Sequence, residues 1–469
     1  MKRHLSWLAV SLFSWPLVTS GSTLDLPNLG DSVDRTISIQ EEVQLGQEIF
    51  TRIRGEANLV EDPLVLGYVR DLGARLVGAT GITRFDFHFE VIDDGSINAF
   101  AVPGGHIGIN SGLILLAEDE SELAGVMAHE IAHGGQRHIA RMLSQQGMNS
   151  LTALAGLIGA ALVGASNPDA AAAMASAGIA GAAQKQINFT RTHENEADRI
   201  AIQTLHRAGV DPSGMTRFFE KMLRREIGDH PMNQLDYLRT HPLTTARIAG
   251  AQARIDSLPR PEHASRDSLA FQLAQARLAA LTGRTVGHRQ SSVARAYLAA
   301  LRQIKAREYD RAEATLAELA DEQPGSLWFE IPRAQLAYQQ GDTKRALQRL
   351  ASLQELHPGN STILSLRSDW LTESGQPEQA LGELAKALRD QPEDPFLNRA
   401  RARAASAAGK DQLHHESMAR YFLAIGRPVE AHQEFRQAYA YTAGDPVAQQ
   451  RIDAAMTKIE DRLRLDESD

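Results

Sequence analysis

Residues 126–138, VMAHEIAHGGQRH, put three histidines and one glutamate inside a run that otherwise reads as an apolar helix. His129 and His133 stand four residues apart, so a helix sets both imidazoles on one side, about one turn apart, where two nitrogens can meet one Zn2+. Glu130, beside the first of them, is then in reach of an attacking water rather than of the metal, and can take its proton and deliver it to a leaving amine. A solvated histidine pair on a helix is the competing reading, and a third ligand has to decide between them.

A metzincin requires a glycine and then a third histidine at set distances, and this chain has Gln136 and Ile139 there, which excludes that class. His138, five residues after His133, falls on another face of a continuous helix and is expected to be solvated. Downstream, RTHENEADR (191–199) offers Glu194 and Asp198, again four apart, on what reads as a second helix. Glu194 can coordinate the metal, and Asp198 can accept the outer N–H of a ligating histidine and fix its tautomer. Taken alone, Glu196 and Asp198 read equally well as surface charges; joined to the first helix, the segment makes a gluzincin-like site of two histidines and a glutamate.

The surrounding chain reads as α+β. Helices are expected over residues 38–54 and 63–76. RFDFHFEVIDD (84–94) alternates with Phe85, Phe87, Phe89 and Val91 on one face, as a half-buried strand does, and 98–102 and 106–110 read as two more strands. One long helix is expected over 118–141. Residues 151–183 carry almost no charge but are divided by Asn167, Pro168 and Asp169 into pieces shorter than a bilayer span, so a helical hairpin is expected, with peripheral membrane contact left open. Residues 258–268, rich in proline and polar groups, read as a linker.

Beyond it Pro324, Pro358 and Pro392 recur every 34 residues, as do Gly341, Gly375 and Gly409, and Ala312, Ala346 and Ala380. That register identifies tetratricopeptide repeats, helix pairs that stack into a solenoid with a concave surface for peptides or proteins.

At 469 residues the chain exceeds one ordinary core. With 43% hydrophobic and 23% charged residues it is globular, and its net charge of −9 leaves no basic footprint for nucleic acid. Lys2, Arg3 and His4 precede an apolar run and the small residues Thr19 to Ser22, as in a secretory signal peptide with cleavage near 20–22. The absence of cysteine excludes a lipid-anchored cysteine and disulfides, and is compatible with a bacterial periplasm.

HEIAH (129–133), TR (190–191) and ENEAD (194–198) resemble the zinc peptidases related to HtpX and the CAAX prenyl proteases. With a signal-like start and repeats behind, the whole chain is similar to a family of periplasmic proteases that attend the assembly of outer-membrane β-barrels. The resemblance implies one zinc ion per subunit on His129, His133 and Glu194, with Glu130 as base and Asp198 supporting a ligand. It implies that His241, in RTHPLTTARI (239–248), can act as a fourth, regulatory ligand, and that Asn98, Ala99, Phe100 and Ala101 form an edge strand to which extended substrate adds. Arg191, on the same segment as Glu194, is a candidate to anchor neighbouring Asp or Glu side chains or to contact a transition-state oxygen. Unfolded or stalled outer-membrane barrel proteins are the implied substrates, and the barrel-assembly machinery the implied partner of the repeats.

The expected architecture is therefore a signal peptide (1–22), an α+β zincin domain of gluzincin type (23–257), mostly helical with a small sheet, a linker (258–268) and an all-α tetratricopeptide-repeat solenoid (269–469). A scaffold or chaperone whose proteolysis is latent is the competing function.

Overall fold

The computed structural model describes residues 37–146, 180–227, 236–259, 264–288, 290–425 and 427–467. The expected signal peptide lies outside these residues, as does the expected hairpin up to residue 179.

The chain opens with α1 (Ile39–Glu56), whose Ser38 and Glu41 form a reciprocal capping box. Next comes α2 (Pro63–Thr80), started by Asp62 and Pro63 and stopped by Gly81 in the left-handed region. Strands β1 (His88–Ile92), β2 (Ala99–Val102) and β3 (His106–Asn110) form a sheet of order β1-β3-β2, with β1 parallel and β2 antiparallel to β3. That order leaves β2 at an edge. The strand expected over 84–94 is shorter, and its outward-facing glutamate is not solvated: Glu90 is buried and bound by Arg54 of α1 at 2.6 Å.

After the short α3 (Ser111–Leu116), Asp119 caps α4 (Glu120–Gly135), which is buried along nearly its whole length. Leu123, Val126, Met127 and Ile131 pack into the main core with the sheet and α2. The single helix expected over 118–141 is broken. The chain turns at Arg137, whose φ of 55° is left-handed, and restarts as α5 (His138–Gln146). Arg137 is fully buried and offsets that backbone cost by donating to Glu42 at 2.5 Å and to the Ile37 carbonyl at 2.6 Å.

Helix α6 (Ala180–Arg207) crosses α4, followed by α7 (Ser213–Ile227), the five-residue α8 (Asp236–Thr240) and α9 (Thr245–Ser257). The stretch read as a linker is bonded to the first domain where it is described. Ser265 exchanges backbone bonds with Gly209 and Asp211, the Arg266 carbonyl accepts from Ser121 N–H, and the Arg266 side chain pairs with Asp119.

Among the described residues eleven further helices follow, from α10 (Leu269–Thr282) through α11 (Ser292–Lys305), α12 (Tyr309–Glu322), α13 (Leu327–Gln339), α14 (Thr343–Leu356), α15 (Ser361–Glu373), α16 (Pro377–Asp390), α17 (Pro395–Ala407), α18 (Asp411–Ala424) and α19 (Pro428–Ala440) to α20 (Pro446–Glu467). The 34-residue register has its structural cause. Gly341, Gly375 and Gly409 adopt φ of 84°, 77° and 68° in the turn within each pair, where a β-carbon is disfavoured. Ala312, Ala346 and Ala380 are fully buried where paired helices approach.

The solenoid is seated on the first domain. Phe271, Ala274 and Leu278 of α10 enter the main core, while Leu273 and Ala276 on its other side pack with Tyr297 and Phe329. Buried Arg277 grips Asp62 at 2.7 Å, and Leu64 of α2 sits among Ile331, Leu350 and Trp370. Among the described residues no helix is long and apolar enough to cross a membrane.

Candidate metal centre

Four side chains converge at the crossing of α4 and α6. His129 Nε2 lies 3.1 Å from His133 Nε2, 3.3 Å from Glu194 Oε2 and 3.3 Å from His241 Nδ1. Glu194 Oε1 lies 3.3 Å from His133 Nε2 and 3.1 Å from His241 Nδ1. Three imidazole nitrogens and a carboxylate facing one point crowd their lone pairs together unless the rings turn N–H groups inward. A shared cation resolves the conflict, and the spacing fits one: four ligands at roughly 2.0–2.1 Å in a tetrahedron stand about 3.3–3.4 Å apart.

Each side chain is held by its own element. Asp119 fixes the start of α4 by accepting from Glu122 N–H at 3.1 Å, and the helix carries His129 and His133 on one face. Phe219 of α7 meets the His129 ring edge-on at 6.0 Å. Glu194 and Asp198 project from one face of α6; the Asp198 carboxylate lies 3.0 Å from His129 Nδ1. His241 follows α8, stacked on Tyr237 with ring centroids 4.7 Å apart, and Tyr237 N–H donates to the Ile97 carbonyl just before the edge strand.

Glu130 is buried, and its Oε1 has no hydrogen-bond partner; His241 Nε2 is 3.5 Å away. An unpaired carboxylate oxygen buried beside a metal-shaped cluster has the position a general base needs.

Charge follows the geometry. Burial opposes a proton on His129, but Asp198 and Glu194 outweigh it and raise its pKa to about 9, a measure of how strongly this spot attracts positive charge. Burial also opposes ionisation of Glu194 and Asp198. The facing histidines hold Glu194 well below the usual carboxylate range, and Arg247 with His129 hold Asp198 low. Burial, His129 and His241 push His133 down, so it is disposed to offer a lone pair.

Arg247 of α9 was not singled out from sequence. It donates to Asp198 at 2.6 and 2.8 Å, lies 2.7 Å from Glu194 Oε2, and stacks over Phe219. Its signal is slight: it stands six residues after His241, and nothing local marks an arginine as buried. His138 corrects the expectation of a solvated histidine. It is 3% exposed, because the break at Arg137 turns it back so that its Nδ1 lies 3.0 Å from His133 Nδ1. Arg191 is exposed. Among the proposed edge-strand residues, Ala99, Phe100 and Ala101 lie in β2, which packs against α4, and buried Asn98 immediately precedes it.

A helix pair presenting histidines and a glutamate around one cation position, with a buried carboxylate alongside, defines a metallopeptidase, here carrying a helical-repeat solenoid. Residues 63–255 match Peptidase family M48, and residues 303–370 and 337–408 match the tetratricopeptide repeat. The chain is 35% identical over 369 residues to the beta-barrel assembly-enhancing protease of Escherichia coli K12, covering 76% of this chain and 74% of that one. To the protein of the same name from Yersinia pestis it is 33% identical, covering 79% and 78%. The mitochondrial metalloendopeptidase OMA1 of Bos taurus is 31% identical over 166 residues, 34% of this chain and 31% of that one. The chain belongs to the beta-barrel assembly-enhancing protease family of M48 metalloendopeptidases.

Proposed function

We propose that the chain is a zinc endopeptidase of the periplasm that promotes assembly of outer-membrane β-barrel proteins and degrades misassembled ones, with one Zn2+ per subunit held by His129, His133 and Glu194. The observation that carries it is the convergence of ligand atoms from His129, His133, Glu194 and His241 within 4.8 Å of one another, beside the buried Glu130 Oε1 that accepts no hydrogen bond. Nitrogen and carboxylate donors in this number suit zinc. Zinc, when bound, polarises the scissile carbonyl and makes the attacking water more acidic. Glu130 takes the proton of that water and passes it to the leaving amine. Asp198 holds the His129 ring so that Nε2 offers its lone pair. The free side of β2, through Asn98, Ala99, Phe100 and Ala101, receives an extended segment by main-chain hydrogen bonds, a mode indifferent to sequence and suited to unfolded barrel strands. The repeats dock those chains or the barrel-assembly machinery. The names of the relatives above support this assignment of substrate and partner.

The position of His241 Nδ1, 3.3 Å from His129 Nε2 and 3.1 Å from Glu194 Oε1, favours a second state. With His241 as fourth ligand the open position needed for hydrolysis is closed, and the protein acts as a scaffold whose protease is latent. The bond from Tyr237 N–H to the Ile97 carbonyl ties this latch to the edge strand, so a segment that adds at β2 competes with the contact that seats His241.

The test replaces Glu130 by Gln and, separately, His241 by Ala, and measures zinc content and degradation of a stalled outer-membrane barrel protein. Glu130→Gln is expected to retain zinc and lose about 10²–10⁴-fold in cleavage rate; retained cleavage overturns its role as base. His241→Ala is expected to cleave faster; unchanged or slower cleavage overturns the latch.

A further inference from the structure

The two histidines on α4 are supported differently at their outer nitrogens. His129 Nδ1 meets a carboxylate directly, Asp198 Oδ1 at 3.0 Å. His133 Nδ1 meets another imidazole, His138 Nδ1 at 3.0 Å, and His138 Nε2 in turn faces Glu196 Oε2 at 3.3 Å. Arg141 Nη1 donates to the same Glu196 oxygen at 3.2 Å, and the His193 ring lies flat on His138, centroids 4.1 Å apart and planes 8° from parallel.

We propose that His138 and Glu196 form a positioning relay for His133, an imidazole inserted between a metal ligand and its supporting carboxylate. The inference rests on His133 ligating through Nε2. A ligating Nε2 carries no proton, so neutral His133 bears its hydrogen on Nδ1 and donates it to His138. His138 Nδ1 is then the acceptor, its hydrogen stands on Nε2, and Nε2–H donates to Glu196. One direction of donation runs from the metal side to the carboxylate, and each ring's tautomer is set by the next group. The effect on His133 is that of a supporting carboxylate at one remove: a fixed ring plane and a more basic Nε2.

The backbone explains why the relay needs a broken helix. In a continuous α4, a residue five positions after His133 would be rotated about 140° from it. The left-handed turn at Arg137 brings His138 back, and the buried bonds from Arg137 to Glu42 and the Ile37 carbonyl keep that turn in place. Glu196, two residues from Glu194 on α6, serves the outer ring while Glu194 serves the inner face. The two residues that looked expendable in sequence, a histidine out of register and a surface-like glutamate, are thereby joined.

The test uses the full chain and three variants: His138→Phe, which keeps a flat ring against His193 but can neither accept nor donate; His138→Asn, which restores an acceptor near the Nδ1 position; and Glu196→Ala at the partly exposed end. Zinc affinity is measured by competition with a chromophoric chelator, and the nitrogen-15 spectrum reports the proton on His133 Nδ1. His138→Phe is expected to weaken zinc binding about 10–100-fold, with His138→Asn recovering most of it and Glu196→Ala falling between. The His133 Nδ1–H signal should be protected from solvent exchange in the parent chain and in His138→Asn, and lost in His138→Phe. Wild-type affinity in His138→Phe overturns the relay, as does Asn binding no better than Phe. Should His138→Phe not fold, Glu196→Ala decides: wild-type affinity and an unchanged signal overturn the proposal. A parent chain that binds no zinc overturns the metal reading itself, and the relay with it, a result distinct from variants that differ in none of these measurements.

Discussion

Replacing Arg247 by Met separates two effects that oppose each other at the metal centre. Arg247 is buried and is the cation to which both Asp198 and Glu194 are tied, by contacts of 2.6, 2.8 and 2.7 Å. Removing one partner of a buried ion pair costs about 3–5 kcal/mol, because the other charge stays buried. The second effect is on metal affinity. Losing a group that orients Asp198, and through it His129, should weaken binding by about 10–100-fold, or roughly 1.4–2.7 kcal/mol. Losing a positive charge close to the site works in the opposite direction: at about 4 Å and an effective dielectric constant near 20, a unit charge pair is worth about 4 kcal/mol. Charge wins by magnitude. Arg247→Met is therefore expected to be much less stable than the parent in the presence of a chelator, and to recover most of that loss when zinc supplies the missing positive charge.

The assay is calorimetric melting of both chains with chelator and with excess zinc, and the zinc-induced rise should be larger in the variant. Acid titration gives an independent sign. Burial raises the Asp198 pKa, but Arg247 and His129 more than offset it, so Asp198 is depressed in the parent. A depressed carboxylate contributes stability that is present above its unfolded pKa and lost as pH falls through its folded one. Without Arg247 the folded pKa rises toward the unfolded one, so the acid destabilisation that Asp198 contributes should shrink, and should reverse where burial carries the folded pKa past the unfolded value. If zinc restores nothing, or the zinc-loaded variant loses as much as the chelated one, Arg247 acts by orientation and the charge argument is refuted.

Asp119 gives a milder test. Burial works against its ionisation, but Ser121, Arg266 and Arg217 hold its pKa below the usual range. Asp119→Asn keeps a capping oxygen and loses the ion pairs, so it should cost on the order of 1 kcal/mol at neutral pH, given that Arg266 is well exposed. The deficit should shrink as pH falls through the depressed pKa of the parent; a deficit constant with pH would refute the assignment. At the seat of the solenoid, Leu64→Ala should cost about 2–5 kcal/mol and loosen the repeats. Arg399→Ala, which breaks an exposed pair with Glu61, should cost at most about 1 kcal/mol. Limited proteolysis around residues 264–268 compares them; equal sensitivity would show that apolar packing at Leu64 does not hold the two parts together.

The repeats and the convergence of His129, His133, Glu194 and Asp198 were legible because each rests on a period: 34 residues for the solenoid, four residues on a helix for each pair of site residues. What escaped depends on breaks in period or on distant partners. A helix running over 118–141 is the natural reading of its apolar spacing, and buried bonds from Arg137 to residues about a hundred positions earlier make a left-handed turn tolerable there. His138 was misread for that reason alone. Arg247 was missed because its burial is decided by two carboxylates on another helix, and the stretch 258–268 read as a linker because its polar groups find their partners in Gly209, Asp211 and Ser121.

These same differences in anchoring decide which ligand can leave. Hydrolysis needs an open position, so on the reading that all four converging groups can reach the metal, one must give way. His129 and His133 sit within a helix of 16 residues sunk in the main core, and Glu194 in one of 28 residues that crosses it. Displacing any of these means unpacking a helix. His241 follows a helix of five residues and precedes the cap of α9 at Thr244. Its local ties are the backbone bond from its own N–H to the Tyr237 carbonyl, the stack on the Tyr237 ring, the bond from Arg247 Nη1 to the Pro242 carbonyl and, one step removed, the core packing of Tyr237 and its bond to Ile97. A backbone bond is worth about 0.5–1.5 kcal/mol net and a stacked ring pair about 0.5–1.5 kcal/mol, so the local ties to be broken are of the order an added substrate strand supplies through its own main-chain bonds at β2. On the proposed reading of His241 as a latch, the group that gives way is thus the one joined, through Tyr237, to the segment just before the edge strand.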